Sequence, residues 1–322
     1  MPKGYNHVTQ DIRSQIFVLK ATGNSLREIA KFVYRDVSTI SREISRNIGE
    51  RGYRYKQADA KAIKRRMEAS RTPKKLTKSL IARIEQSLLE DWSPEQISGR
   101  LKLLENIDIS HESIYQHIWK DKIAGGSLYE HLRHCGKKYN KRSSNMVGRG
   151  CIPNRIDISE RPPIVEQKIR LGDWEGDTII GANHKGAIIS YVDRYSKFAV
   201  LKLVERKTSD LVAQNTIEKL SSANLPVLTI TYDNGKEFAD HAQIAKALNA
   251  SCFFARPYHS WERGLNEHTN GLVRQYLPKK TDFTRISDNT VQHIAEKLNN
   301  RPRKVLNYKT PAEVLMMQLP GP

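Results

Sequence analysis

The sequence predicts a multidomain chain, an all-α N-terminal half followed by a mixed α/β body. Three observations carry this. Apolar residues recur at helical spacing as far as about residue 120, short β-branched runs take over from Trp174, and positive charge is concentrated in the first half. Of the 322 residues, positions 1–150 hold 30 Lys and Arg against 16 Asp and Glu, while positions 151–322 hold 24 against 19. Such an excess suits an arm that grips a polyanion, joined to a body that does chemistry. The apolar fraction of 38% argues for a folded chain. Three cysteines, Cys135, Cys151 and Cys252, cannot make a disulfide framework and suit a reducing compartment. No apolar run approaches the roughly 20 residues of a membrane span. The opening Met-Pro-Lys-Gly-Tyr lacks the apolar core of a signal peptide. A cytoplasmic protein without a membrane partner is expected.

Residues 9–47 read as three short helices. Ile12, Ile16 and Leu19 share one face, and Thr22-Gly23-Asn24 ends it. Ser25 caps a second helix with Leu26, Ile29, Ala30 and Val33 inward. Tyr34-Arg35-Asp36 turns the chain into a third, with Val37, Ile40 and Ile44 inward. Its outward positions are Ser38, Ser41, Arg42, Ser45 and Arg46, with Glu43 as the one acid. Small hydroxyls let such a helix lie deep in a major groove, and Arg reaches guanine edges or phosphates. This is the plan of a helix-turn-helix, over residues 5–48. The basic stretch from Lys61 to Lys78, with Lys64, Arg65 and Arg66, reads as a helix and linker tracking a nucleic-acid backbone.

A second helix-turn-helix is expected over 79–122. Ile81, Ile84 and Leu88 form one stripe, and Ser93-Pro94-Glu95-Gln96 is a capping signature ahead of Ile97, Leu101 and Leu104. Ser110 opens a helix with Ile114 and Ile118 inward, on which His111, Ser113, Gln116 and Lys120 are candidate DNA contacts. Residues 136–158 are basic and aperiodic and read as a linker.

The body, 160–320, opens with three β-type runs: Asp177–Ile180, Lys185–Val192 and Phe198–Val204. A helix (Ser209–Leu220), a strand (Val227–Tyr232), a helix (Phe238–Leu248) and a short strand (Cys252–Ala255) follow. Three antiparallel strands and then alternating α and β elements match a ribonuclease-H-like core.

Within it, three carboxylates stand out: Asp177, Asp233 and Glu267, the last two separated by 33 residues. Phosphoryl transfer on DNA needs a nucleophile in line with its leaving oxygen, and two cations about 3.5–4 Å apart stabilise both. A hard ion such as Mg²⁺ needs only a few carboxylates besides the substrate phosphate. Asp173, Glu175 and Asp177 alternate and share one face of an extended chain. Only Asp177 leads directly into a β-branched run, so the other two read as approach residues on solvent or DNA. Asp233 ends a strand, where α/β sheets commonly build sites. Glu267 begins a helix with Asn270, Gly271 and Arg274 on its face; Arg274 is a further candidate DNA contact. Asp193 is expected to fix a turn between two strands, and His259 and His268 to be exposed. His131, His134, Cys135 and Cys151 have a zinc-like composition but lack paired Cys-x-x-Cys spacing.

The chain resembles the insertion sequence 30 family of bacterial transposases, of the type named for two Asp and one Glu. The resemblance rests on Ile44-Ser45-Arg46-Asn47, Ile152-Pro153-Asn154-Arg155, Gly172 through Thr178, and Tyr232-Asp233-Asn234-Gly235. Its most specific stretch is Glu262-Arg263-Gly264 through Asn266-Glu267, Asn270-Gly271 and Arg274 to Lys279. Two departures are visible: His268 where Asn is usual, and Lys280 where Gly is usual. The resemblance implies a retroviral-integrase-type catalytic core with Asp177, Asp233 and Glu267 as catalytic metal ligands, working with Mg²⁺ or Mn²⁺, two ions per site. It also implies an arm that recognises the terminal inverted repeats of an element, target DNA as a second double-stranded partner, and a homo-oligomer of at least two copies. A DNA-binding regulator with an inactive body, and a nuclease that cleaves without joining, are the competing readings.

Overall fold

A computed structural model describes residues 7–70, 76–133, 152–256 and 263–319, which fall into two units, Met1–Thr77 and Lys78–Pro322. The described residues of the first form four helices: α1 (Gln10–Ala21), α2 (Leu26–Phe32), α3 (Val37–Asn47) and α4 (Tyr55–Ser70). Thr9, Ser25 and Asp36 cap the first three by accepting backbone N–H bonds, and Ser25 with Glu28 completes a capping box. Ile16, Ile29, Ile40 and Ile44 meet in the core. Leu26 and Val37 are more than a third exposed; each is the first residue of its helix and lies at the end of the apolar stripe. Glu43 corrects the sequence reading more substantially. It turns inward, taking Arg13 Nε at 2.8 Å and Asn47 Nδ2 at 2.6 Å, while Arg13 also reaches Asp59 on α4 at 2.8 Å. A buried arginine on α1 requires counter-charge, and Glu43 and Asp59 provide it.

The second unit begins with α5 (Lys78–Leu89), α6 (Pro94–Glu105) and α7 (His111–Ile123). The buried stripe of α5 is Leu80, Ile84 and Leu88, an i, i+4, i+8 row that leaves Ile81 beside it rather than in it. Leu104 is 60% exposed because Ile97 and Leu101 already fill the inner face of α6. After α8 (Pro163–Gln167) come β1 (Asp173–Ile180), β2 (Ala187–Asp193), β3 (Ala199–Val204), α9 (Ser209–Ser222), β4 (Thr229–Tyr232), α10 (His241–Leu248) and β5 (Ser251–Phe254). Three helices close the chain: α11 (Gly264–Tyr276), α12 (Asp288–Asn299) and α13 (Pro311–Met316). The sheet order is β3-β2-β1-β4-β5. The first three strands pair antiparallel, and β4 and β5 join parallel to β1. This is the expected mixed sheet with helices on both faces.

Side-chain alternation assigns the two faces. Trp174, Ile189, Tyr191 and Tyr232 pack with Val212, Leu220 and Ile244 from α9 and α10. Ile179, Ile188 and Leu201 pack with Leu272, Val273, Ile294 and Leu298 from α11 and α12. Gly176 lies between two aromatic rings on the first face; a Cβ there would fall 2.5 Å from Tyr232 and 2.7 Å from Tyr191.

α6 is tied to the end of the chain. Arg100 bonds Glu313 on α13 at 2.8 Å, Arg301 bonds Gln96 at 2.9 Å, and Lys304 meets Glu95 at 2.6 Å. Gly99 leaves room for the ring of Tyr308, which a Cβ would overlap. Asp91 takes Lys297 at 3.1 Å and His131 at 3.2 Å; His134, Cys135, Cys151 and most of the 136–158 linker lie outside the described residues. Among the described residues no helix is long and apolar enough to cross a membrane.

The hydrogen bonds of Arg100 hold the Glu313 carboxyl below the ordinary carboxylate range, against an opposing effect of burial. Their contribution is therefore complete at neutral pH and is lost as pH falls through that depressed value. Arg100→Ala is expected to lower stability by about 1 kcal/mol at pH 7. In urea titrations this deficit should shrink on acidification; a deficit that stays constant to low pH would speak against the pair.

Candidate active site

The acids of β1 occupy the odd-numbered face, the one covered by α11 and α12. Asp177 stands opposite Ser190 on β2. Its Oδ2 accepts a 2.7 Å bond from Asn270 Nδ2 on α11, and Asn270 Oδ1 accepts from Ser190 Oγ at 2.9 Å. The amide of Asn270 is thus oriented from both ends.

Parallel pairing of β1 with β4 sets Glu175 level with Thr231. Asp177 and Asp233 each follow two residues later, so they emerge side by side at the C-terminal end of β4. Asp233 Oδ1 accepts from Gly235 N at 2.8 Å, and Asn234 Nδ2 donates to Ala255 O at 2.7 Å. These bonds fold the Asp-Asn-Gly turn, and Arg155 bonds the Asn234 side chain from outside.

Arg263, immediately ahead of α11, joins the two aspartates. Its guanidinium lies 3.3 Å from Asp177 Oδ1 and 3.4 Å from Asp233 Oδ2, and donates to Gly176 O at 2.9 Å. It is 9% exposed. At an effective dielectric of about 20, each unit pair at ~4 Å is worth about 4 kcal/mol before desolvation is subtracted. Two neighbouring carboxylates repel on the same scale, and Arg263 places a compensating cation between them. Burial pushes the Asp177 carboxyl up, Arg263 opposes that shift, and the charge of Asp233 adds to it. Burial alone would weaken the Arg263 charge, but Asp177, Asp233 and Glu175 keep it on.

Glu267 lies in the first turn of α11 and is exposed. Among the described residues no three His, Cys, Asp or Glu side chains gather closely enough to hold a metal ion. The structure therefore brings Asp177 and Asp233 together and leaves Glu267 outside their cluster. Asn270, one turn further along the same face of α11, does reach Asp177.

Asp173 and Glu175 correct the sequence reading: neither faces solvent or DNA. Asp173 is fully buried, paired with Arg170 at 2.8 Å and accepting from Thr229 Oγ1 at 2.8 Å. Glu175 is 2% exposed and paired with Arg194 at 2.9 Å. Its other oxygen accepts from Asn266 N at 3.1 Å, anchoring the start of α11. Asp193 holds its turn as expected, taking N–H bonds from Gly172, Tyr195 and Ser196. The sequence reading quoted Arg263 only within the family stretch, without a site role, and missed Arg194, Ser190 and Glu237. The last is a buried acid bonded to Thr178 at 2.9 Å and to Lys207 at 2.6 Å. Of these only Arg263 carried a signal, an opposite charge four residues ahead of Glu267.

Among the DNA-contact candidates, Ser38, Ser41, Arg42, Ser45 and Arg46 are all exposed on α3, with Arg42 bonded back to Ser38 at 2.8 Å. Lys64, Arg65 and Arg66 are exposed on α4, but Arg65 is engaged with Arg46 O and Asn47 Oδ1 at the end of α3. On α7, His111 and Gln116 are exposed, while Ser113 shares a 2.9 Å bond with the capping Ser110. Arg274 donates to Ile180 O at 2.7 Å and stacks over Phe283, so it ties α11 to β1. His268 is exposed, and His259 lies outside the described residues.

Two family models match: a helix-turn-helix domain over residues 5–47 and an integrase core domain over residues 168–260. The second match ends before Glu267. Full-length relatives include the transposase for insertion sequence element IS4351 of Bacteroides fragilis, 45% identical over 95% of this chain and 94% of that one. The transposase for IS1086 of Cupriavidus metallidurans is 36% identical, over 99% and 96%. Transposase InsI for IS30A of Escherichia coli is 35% identical, over 96% and 83%. Among solved structures, the catalytic core domain of BIV integrase matches with a TM-score of 0.36 and 18% identity, over 45% of this chain and 93% of that one.

The Arg194–Glu175 pair lies under the site, with both side chains at most 3% exposed. Arg194→Met would strand a buried carboxylate and is expected to cost about 3–5 kcal/mol. Adding Glu175→Gln to that variant should recover part of the loss. Chemical denaturation of both single variants and the double tests this, and strictly additive losses would refute the coupling.

Proposed function

This chain belongs to the insertion sequence 30 family of transposases, and we propose how its two units divide the work of moving an insertion sequence. It is a DNA transposase with an integrase core. Asp177, Asp233 and Glu267 are the proposed catalytic carboxylates. The observation that carries this is the convergence of Asp177 and Asp233, from neighbouring strands, on one shared cationic group. Asn270 supports Glu267 as the third member, since it binds Asp177 from the helix that bears Glu267.

Integrase core domains generally use divalent metal ions, and the donors here fit one. Two hard carboxylates already accommodate a common cation, and the buried amide of Asn266, next to Glu267, has no partner among the described residues. Two Mg²⁺ or Mn²⁺ ions held by Asp177, Asp233 and Glu267 would neutralise charge on the phosphate as the phosphorus is attacked. The chain's own residues do the positioning. Asn270 and Ser190 orient Asp177, the Asp-Asn-Gly turn orients Asp233, and Glu175 anchors the helix of Glu267. Water attacks a phosphodiester at the element's end and the P–O3′ bond breaks, leaving a 3′-hydroxyl and a 5′-phosphate. That hydroxyl then attacks a phosphodiester of target DNA, whose own 3′-oxygen departs.

The proposed reader of the terminal inverted repeats is α3, whose exposed serines and arginines stand clear of the core. Lys64 and Arg66 on α4 follow the backbone, and His111 and Gln116 on α7 are further contacts. Handling two element ends calls for at least two copies of the chain, acting in the cytoplasm on nucleoid DNA.

The decisive assay incubates the protein with end-bearing DNA and Mg²⁺. Joined products are expected; cleavage without joining would indicate a nuclease, and binding alone a regulator. Asp177→Asn, Asp233→Asn and Glu267→Gln should each reduce cleavage and joining by about 10³-fold or more while end binding persists. Full activity in any of the three would remove that residue from the site.

Two arginines of the first unit should separate cleanly. Arg46→Ala is expected to weaken end binding by roughly 1–3 kcal/mol and flatten its salt dependence without changing the melting temperature. Arg65→Ala should lower stability by about 1 kcal/mol, because its bonds hold α4 to the end of α3. Filter binding across a salt series and thermal melts distinguish them; the opposite pattern would exchange their roles.

A further inference from the structure

Arg263 raises a question that the carboxylates alone do not. Its guanidinium lies within 3.4 Å of both Asp177 and Asp233, and is fixed there by a 2.9 Å bond to Gly176 O. The planar fork spans two carboxylates in a way that a point charge cannot. It occupies Asp177 Oδ1 and Asp233 Oδ2, so a cation that drew on those carboxylates would have to compete with the guanidinium for them. Arg263 also immediately precedes α11, and its Nε is buried without a partner among the described residues.

We propose that Arg263 is a built-in counter-ion of the Asp177–Asp233 pair, which a divalent cation must displace to bind. It holds the two aspartates close together before metal arrives, and it weakens metal binding in proportion to its hold on them. The cation and the guanidinium therefore compete, and this one residue sets the metal affinity of the site. The inference rests on Asp177 and Asp233 being metal carboxylates.

The test is calorimetric titration of Mn²⁺ into the full chain without DNA, with melting temperatures recorded alongside. Arg263→Gln should bind Mn²⁺ about tenfold tighter than the parent, and Arg263→Lys, which keeps the charge but loses the fork, about threefold tighter. Metal-free Arg263→Gln should melt below the parent, because the carboxylates then repel unshielded, and Mn²⁺ should restore it. A residue that only supported the fold would leave a deficit that metal does not repair. Unchanged or weaker Mn²⁺ affinity in both variants would overturn the proposal, and if the Gln variant does not fold, the Lys variant decides alone. Failure of the underlying site is distinguishable: the parent would then bind no Mn²⁺, or bind it equally well after Asp177→Asn.

Discussion

Neutralising three acids along one face of a single strand is the constraint on which the catalytic unit depends. Asp173, Glu175 and Asp177 alternate along β1 and so point the same way, toward the side covered by α11 and α12. Each meets a different arginine: Arg170 just upstream, Arg194 in the turn after β2, and Arg263 at the start of α11. Buried carboxylates without partners would cost several kcal/mol each. The sheet can carry this row only if those three segments close over it. The same closure brings α11 over the site, where Asn270 bonds Asp177.

The row is graded from enclosed to open. Asp173 and Glu175 are almost fully enclosed, and their bonds go to the framework: Thr229, Arg194 and the backbone of Asn266. Asp177 is the least enclosed, and its partners are side chains that can exchange, Asn270 and Arg263. One strand thus serves as enclosed foundation at its start and, four residues later, as the edge proposed to be catalytic. Asp233 reaches that edge because parallel pairing with β4 sets it level with Asp177, and its own turn bonds hold it there.

Much of the chain's positive charge is structural rather than available to DNA. Arg13 closes a buried cluster with Glu43 and Asp59, Arg65 ties α4 to α3, Arg100 and Lys304 bind α6 to the end of the chain, and Arg274 fastens α11 to β1. The count of 54 Lys and Arg therefore overstates the side chains free to meet phosphate. The arginines that stay exposed on α3, Arg42 and Arg46, lie on the face that helical spacing marked as outward.

The sequence by itself determined the first three helices of the first unit, the three antiparallel strands, the alternating α and β elements after them, and two carboxylates, Asp177 and Asp233, that the fold brings together. These follow from local rules: caps at Ser25 and Asp36, apolar period, β-branched runs, and an Asp-Asn-Gly turn closing a strand. The turn role of Asp193 was legible for the same reason, since its bonds go to residues near it or to the paired strand end. Only the tertiary structure decided where the charges went. Asp173 and Glu175 looked like solvent-facing acids, and Glu43 like an exposed one, because a carboxylate's environment depends on which distant arginine reaches it. Arg194 lies 19 positions from Glu175 and Arg13 lies 30 from Glu43, and no periodicity encodes those pairings. The docking of α6 on the end of the chain is of the same kind, with more than 200 residues between partners. Local backbone preference acts over a few residues and is written in their order, whereas charge pairing acts through space and waits for the fold.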